Sequence, residues 1–571
     1  MNKKRTSDHY PSTTPNVGLI DNANDLHKPN PNKFMPIVPN ISKPNIIYIN
    51  EEKVIILKKM IKNRGVEFKD RNHQIVDKKL FKNGLCKVII ENIPKVGYIY
   101  RIVEPYLTIE EKEILNIILA LFKQTIDYDV SAEKSHNELR KTLFKFIEQI
   151  ISKYDVSIPE QSKEKIYYYL ERDIIGYDKI DLLLKDENVE DISCNGPEYP
   201  IFIYHRLHEN IPTNIIFESD NYLDSFIIRL AQRSGKHISL SQPMVDGRLQ
   251  DGSRIQCTLQ EVTPRGSTFT IRRFRETPLT PIDLIKKGTL SVQMAAYLWL
   301  TVENGASILF CGGTASGKTT ALNAISLFIP PTKKIVSIED TRELNIPHQN
   351  WIAGVTREGF AHGQNQSTDV DMFDLIKAAL RQRPQVLVVG EVRGKETFIM
   401  FQAMATGHTA YSTIHAENLE MLMQRLENPP ISLPRVLLTS LDLVMFLKQV
   451  RVEDKFTRKI TQIVEIVRMD SENKQIMTEI PFYWKTNMNK FKSSGQSKVL
   501  DEYMRKMDWS SEKLELDLKR RAGILKTLAN KEKYLTSDFT QMVESYYHNA
   551  PTTYVAIVGK NNLYNKVGEY Y

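Results

Sequence analysis

The stretch that most limits what this chain can fold into is "GGTASGKTT", residues 312 to 320, set between the apolar run "SILF" and the helix-like "TTALNAISLF". It fits G-x-x-x-x-G-K-[ST] at Gly312, Gly317, Lys318 and Thr319. A loop of this kind needs a strand before it and a helix after it. Its backbone N–H groups and the helix N-terminus then form a cradle for phosphate oxygens. In that arrangement Gly312, Gly313, Thr314, Ala315, Ser316, Gly317 and Thr320 line the cradle, Lys318 reaches the β- and γ-phosphates, and the Thr319 hydroxyl coordinates Mg²⁺.

The flanking sequence supplies the fold that such a loop requires. "SILFC", "KIVSIE", "VLVVGE" and "AYSTIH" alternate with helical patterns such as "MFDLIKAALRQ" and "ETFIMFQAMA". This alternation predicts a parallel sheet covered on both faces. Glu339 and Asp340 end the second strand, Glu391 the third and His415 the fourth. All of them therefore fall on the C-terminal edge, where open α/β sheets bind ligands. A carboxylate there can hold Mg²⁺ through its water shell or orient an attacking water.

His408 and His415 share the segment "ATGHTAYSTIHAEN" but cannot share one metal ion. Seven residues of strand span roughly 23 Å and the odd spacing turns the rings to opposite faces. Helical spacing also leaves them about 10 Å apart. His415 is placed as a reader of the γ-phosphate, and His408 as a residue coupling to a neighbouring domain or subunit. Among the arginines, Arg265, Arg272, Arg273 and Arg275 in "PRGSTFTIRRFR", Arg342, Arg381, Arg383 and Arg393 could supply positive charge from outside the loop. Arg272 and Arg273, just before the linker, are expected to close over the nucleotide.

With 571 residues the chain has room for three to four domains. The reading divides it into a disordered tail at 1–45, rich in Asn, Pro and Ser; a helical accessory domain at 46–155; an α+β domain at 156–276; a linker at 277–282; a RecA-like ATPase domain at 283–450; and a C-terminal appended region at 451–571. Thr108 and Glu111 form a capping-box pattern ahead of the stripe Ile114, Leu115, Ile118 and Leu121, and Thr280 is expected to cap a helix after the linker. The longest apolar runs, such as residues 114 to 122, are too short to cross a bilayer. No secretory signal opens the chain, which points to a cytosolic protein. Cys86, Cys194, Cys257 and Cys311 have neither zinc spacing nor a disulfide pattern and are expected as buried apolar residues. A net charge of +8 spread over both signs is too mild to indicate nucleic acid.

Together, "GGTASGKTT", "IEDTREL", "LRQRPQVLVVGEVRG" and "ATGHTAYSTIHAEN" resemble, in order and spacing, the Walker A, Asp box, Walker B and His box of the secretion ATPases of type II and type IV secretion and type IV pilus assembly. "SGKHISLSQPMVDGRLQDGSRIQ" and "RRAGILKTLANK" are similar to the archaeal branch, which includes archaellum and archaeal pilus motors. The bacterial four-cysteine zinc element is missing, in keeping with that branch, so no zinc is expected. Gln385 replaces an aspartate frequent after Arg-Pro in the family. The resemblance implies a homohexamer with ATP bound between two domains of each subunit and Mg²⁺ as cofactor. Glu339 would be the catalytic glutamate, Glu391 the Walker B acid that also serves the metal, and His408 and His415 the His-box residues. Hydrolysis would drive a multispanning membrane platform protein from its cytoplasmic face. Two rival readings are a nucleic-acid translocase, which would want a platform of stacking aromatics among basic residues that the sequence does not offer, and a nucleotide-dependent scaffold without turnover, against which the intact acids argue.

Overall fold

The structure, a computed structural model, describes residues 74–559 apart from 95, 126–135, 155, 157, 275–276, 358–368, 453–454, 471, 473–474 and 532–534. The expected tail at 1–45, residues 46–73 of the accessory region and Arg275 lie outside the described residues. The others all belong to one unit spanning 59–571.

Two nine-stranded sheets organise the described residues. The first contains β1 (Gln74–Phe81), β2 (Cys86–Ile93), β3 (Gly97–Val103), β4 (Val189–Cys194), β5 (Pro200–His205), β6 (Glu209–Ile216), β7 (Met244–Arg248), β8 (Arg254–Thr258) and β9 (Thr268–Arg272). Their order is β1-β2-β3-β6-β5-β4-β9-β8-β7. Neighbours are antiparallel except β3 and β6, which meet in parallel at a single residue pair, Tyr100 and Thr213. Inward residues such as Ile192, Ile203, Ile255 and Ile271 pack with Phe226, Ile227 and Leu230 of the helix Asp220–Arg233. This is the expected α+β arrangement.

The accessory region departs from the expectation of helices alone. Residues 74–103 form a three-stranded meander that extends the first sheet. Helices follow: Ile109–Thr125 is closed by the expected box, in which the Thr108 N–H donates to Glu111 Oε2 at 2.8 Å and the Glu111 N–H to Thr108 Oγ1 at 3.2 Å. Leu115 and Ile118 bury against Leu143 and Ile147 of His136–Lys153 and against Ile166 and Leu170 of Glu160–Ile174. That third helix lies past residue 155, so the expected boundary cuts through the helical cluster.

The second sheet carries the phosphate-loop pattern. Its strands are β10 (Ile308–Gly312), β11 (Ile335–Glu339), β12 (Trp351–Val355), β13 (Val386–Glu391), β14 (Thr409–Ile414), β15 (Leu443–Val452), β16 (Lys455–Met469), β17 (Ile476–Lys485) and β18 (Lys490–Ser493). The order is β12-β11-β13-β14-β10-β15-β16-β17-β18, parallel as far as β15 and antiparallel beyond it. Alternate residues along one strand feed two cores. Ile308 and Phe310 join Trp299, Leu322 and Phe328 on one face, while Leu309 and Cys311 join Ile376, Met400 and Leu422 on the other. Burial on both faces explains why these strands read as unbroken apolar runs. Thr280 caps Pro281–Lys286 as expected, and does so through a capping box with Asp283 as its partner.

The region after 450 is not appended. β15 crosses the expected boundary and β16 to β18 continue its sheet. The helix Ser511–Ala529 sends Ala522, Ile524, Leu525 and Leu528 into the same core as Trp299, and Phe539 and Met542 of Thr536–His548 join them. Buried Arg521 stacks on Trp299 with 5.0 Å to the ring centroid, donates to Asp517 at 2.7 Å and contacts Glu303. All four cysteines are buried free thiols. Among the described residues, no helix is long and apolar enough to cross a membrane.

Candidate functional site

The loop after β10 is shaped by its glycines. A Cβ on Gly312 would come 2.4 Å from the Leu447 carbonyl oxygen and 2.5 Å from Ser316 Oγ, so a side chain there would push the loop off β15. Gly317 has φ +92° as the helix Lys318–Ser326 begins, and a Cβ would sit 3.1 Å from Arg458 Cδ. Ala315 also has a left-handed backbone, φ +58°, which costs an L-residue about 1 kcal/mol. The Arg458 Nε–H donates to the Ala315 carbonyl at 2.9 Å and braces that conformation. Gly313 accepts from both Ser316 Oγ (2.8 Å) and Lys318 Nζ (2.9 Å). Thr314 and Ala315 form the exposed crest, and Thr319 and Thr320 open into a cleft beyond.

Lys318 is buried, and that burial draws its pKa down, with the Glu391 carboxylate opposing the shift. His415 Nε2 lies 3.4 Å from Lys318 Nζ and 3.1 Å from Glu391 Oε1. Burial, and then the neighbouring Lys318 charge, lower the His415 pKa, so its ring is neutral at pH 7. A neutral ring has one N–H to give, and Nε2 stands between an acid and a cation. It can donate to Glu391 as one tautomer or accept from Lys318 as the other. The other oxygen of Glu391 accepts from Arg393 Nη2 at 2.6 Å. Lys318, Glu391 and His415 thus meet at one sheet edge, as the strand ends imply.

Glu339 is held differently. Its Oε1 accepts the backbone N–H groups of Glu343 (2.8 Å) and Leu344 (3.0 Å), which fastens the loop following β11. Its Oε2 is buried with no hydrogen-bond partner. Burial pushes its pKa up to about 7 in spite of those two donors. The side chain passes over Gly390, where a Cβ would lie 3.1 Å from Glu339 Cγ, so the residue before Glu391 has to be small.

A cleft of ≈ 750 Å³ separates this edge from the first sheet, lined on one wall by Thr319, Thr320 and Arg342 and on the other by Arg206, Arg254 and Arg272. Arg272 is exposed in it. Arg273 also lines it, but its Nη1 donates to the carbonyls of Asp186 and Val189, so it ties down β4 within its own half of the chain. His408 is not part of the site. It lies just before β14, at the opposite end of the strand from His415, roughly 23 Å away at about 3.3 Å per residue, and its Nδ1 lies 3.4 Å from Thr406 Oγ1.

Arg248 is a residue the sequence reading overlooked. It ends β7, and the foremost charge opposing its burial is that of Glu339, with Asp340 also contributing. Arg254, paired with Asp246, likewise feels Asp340 and Glu343. The stretch "DGRLQDGSR", a tight turn with arginines on both arms, was the available signal.

The protein-family description "Type II/IV secretion system protein" matches residues 178–533, more than half of the chain and most of both sheets. The chain belongs to the type II/IV secretion system protein family. An uncharacterized protein of Methanocaldococcus jannaschii is 35% identical over 478 residues, covering 80% of this chain and 86% of that one. The type IV secretion system protein PtlH of Bordetella pertussis is 30% identical over 232 residues, 36% of this chain and 67% of that one. The solved structure of the ATPase DotB of Legionella pneumophila shares 18% identity with a TM-score of 0.36, covering 66% of this chain and 94% of that one. In this member of the type II/IV secretion family, the four motifs occupy adjacent strand ends of a P-loop α/β fold, the RecA-like layout expected from them.

Proposed function

We propose that this protein hydrolyses ATP with Mg²⁺ and works as a homohexameric motor for protein secretion or for assembly of a type IV pilus-like filament, an archaeal pilus or archaellum. Its partner would be a multispanning membrane platform protein, engaged from the cytoplasmic side. The observation that carries the reading is the meeting of Lys318, Glu391 and His415, from three separate chain segments, at the sheet edge beside the phosphate loop, with Glu339 at the end of the neighbouring strand.

Each residue has a task set by its surroundings. Lys318 leaves its resting bond to the Gly313 carbonyl for phosphate oxygens, and its buried position keeps that charge unscreened. Glu339 orients the attacking water through Oε2, the oxygen that no protein donor occupies, and a pKa of about 7 suits it to take up a proton near neutral pH. His415 contacts both Lys318 and Glu391 and so registers whether Lys318 is engaged. Arg248 brings positive charge from the other half of the chain toward Glu339. The residues fit a hydrated cation: Glu391 offers a carboxylate at the sheet edge, where His415 Nε2 lies 3.1 Å from its Oε1, and Thr319 is the second residue of the helix that follows the phosphate loop, so both would hold Mg²⁺, which supplies neutralisation of phosphate charge when bound.

The test is phosphate release from Mg²⁺–ATP by the purified chain. Turnover is expected in the native protein and none in Lys318→Ala, while Glu339→Gln is expected to retain bound ATP. Native turnover in both variants would overturn the proposal. DNA-stimulated, salt-sensitive turnover would replace the secretion reading with that of a nucleic-acid translocase.

A further inference from the structure

The loop after β11 is fastened at three points, each on a different part of the protein. Its backbone N–H groups at Glu343 and Leu344 grip the Glu339 carboxylate. The Asn345 N–H donates to Asn323 Oδ1 at 3.2 Å, on the helix that follows the phosphate loop. Between these, the Arg342 guanidinium lies 5.6 Å from the ring centroid of Phe274 and 5.6 Å from that of Trp351. Both distances fall within the range in which a cation is attracted to a ring face.

The two rings belong to different halves of the chain. Phe274 follows β9. Its N–H donates to Ser253 Oγ at 3.1 Å and its ring covers Gly252, where a Cβ would meet it at 3.1 Å, so it is anchored to the turn between β7 and β8. Trp351 begins β12, with its Nε1–H bound to Ser337 Oγ of β11 at 2.9 Å. Two residues beyond Ser337 on that strand is Glu339. Arg342 therefore joins the first-sheet half to the short segment that aims Glu339.

We propose that Arg342, clamped between Phe274 and Trp351, is a positioning residue that makes the aim of Glu339 depend on where the first-sheet half sits. When Phe274 withdraws, Arg342 loses one of its two rings. The 343–344 amides then loosen their hold on Oε1, and the unpartnered Oε2 moves with it. Arg342 and Phe274 also line the cleft beside the phosphate loop, so the readout specific to the clamp is the mobility of residues 340–347 without nucleotide. The proposal rests on the ATP-hydrolysis reading for its kinetic consequence but not for its structural one.

The experiment measures both on the full chain. Arg342→Ala and Phe274→Ala are expected to raise amide hydrogen exchange in residues 340–347 by about tenfold, leaving the helix Lys318–Ser326 unchanged. Each is expected to lower kcat about tenfold, and the double variant should be no worse than either single one. Arg342→Lys, which retains charge but presents no planar guanidinium, is expected to recover part of the loss. Unaltered exchange in 340–347 or additive losses in the double variant would each overturn the clamp. If native protein releases no phosphate while the exchange pattern holds, the hydrolysis reading fails and the clamp stands.

Discussion

Glu339 gives the most demanding prediction, because the site should be held at a measurable cost to stability. An unfolded glutamate titrates near 4.5, while burial holds the native carboxyl at about 7. Between those values the native state binds more protons than the unfolded one, so stability falls as pH rises through the window and levels off above it. The difference of about 2.5 pH units corresponds to about 3 kcal/mol of destabilisation by pH 8, none of it present below pH 4.5. Glu339→Gln removes the titration. Its carbonyl oxygen can still accept from Glu343 and Leu344, whereas its amide faces the pocket that leaves Oε2 unpartnered, costing about 1 kcal/mol at every pH. The offset at one pH is therefore no test. The stability of the variant relative to the native protein should therefore shift by about 3 kcal/mol in the variant's favour from pH 4.5 to pH 8. For a domain of more than 200 residues that is roughly 6 °C in Tm. Scanning calorimetry without nucleotide, in overlapping buffers across that range, measures it. Parallel Tm curves would show that Glu339 does not titrate near 7 and would remove the reason for assigning it the proton.

Other substitutions examine the remaining parts of the site and core. His415→Ala should leave ATP binding near native and reduce turnover about tenfold or more, whereas His408→Ala, at the far end of β14, should leave both unchanged; equilibrium binding and phosphate release separate the two. Arg458→Ala removes the brace on left-handed Ala315 and should raise KM for ATP about fivefold to tenfold with a smaller effect on kcat, read from steady-state kinetics. Arg521→Ala strands the Asp517 carboxylate in the core and should cost about 3–5 kcal/mol in denaturant unfolding, while leaving the phosphate loop intact.

The central sheet could be read from the sequence because it obeys one local rule. A parallel strand buried on both faces is a run of apolar residues, and the residue that ends the run marks the ligand-binding edge. Lys318, Glu339, Glu391 and His415 were legible for that reason. The flanking regions break the rule. β1 is exposed along most of both faces, so its residues offer no inward and outward alternation to recognise. Ser511–Ala529 is rich in charge, and its composition suggests a solvated helix. Yet Asp517 and Arg521 are buried because they satisfy one another, Tyr546 and Glu303, and they carry Ile524 and Leu525 into the core with them. Charge predicts exposure only when the charges have no partners, and partners 29 or 218 residues away cannot be seen by any local pattern.

The same limit explains the errors in the site. Choosing Arg273 along with Arg272 for closeness to the linker treated chain distance as a guide to reach. In the fold, Arg273 is occupied by carbonyls of its own half, while Arg248, farther back in the chain, sits at the end of β7 where its charge acts on Glu339. What brings Arg248 there is the strand order: β7 is the edge strand of the first sheet, and the turn joining it to β8 carries Gly252, on which Phe274 rests. Arg248 and Phe274 are therefore anchored to the same hairpin. Any displacement that withdraws the positive charge from Glu339 also pulls on the ring that holds Arg342. A charge that acts near Glu339 and the ring that holds Arg342 are thus both tied to the β7–β8 hairpin of the first sheet.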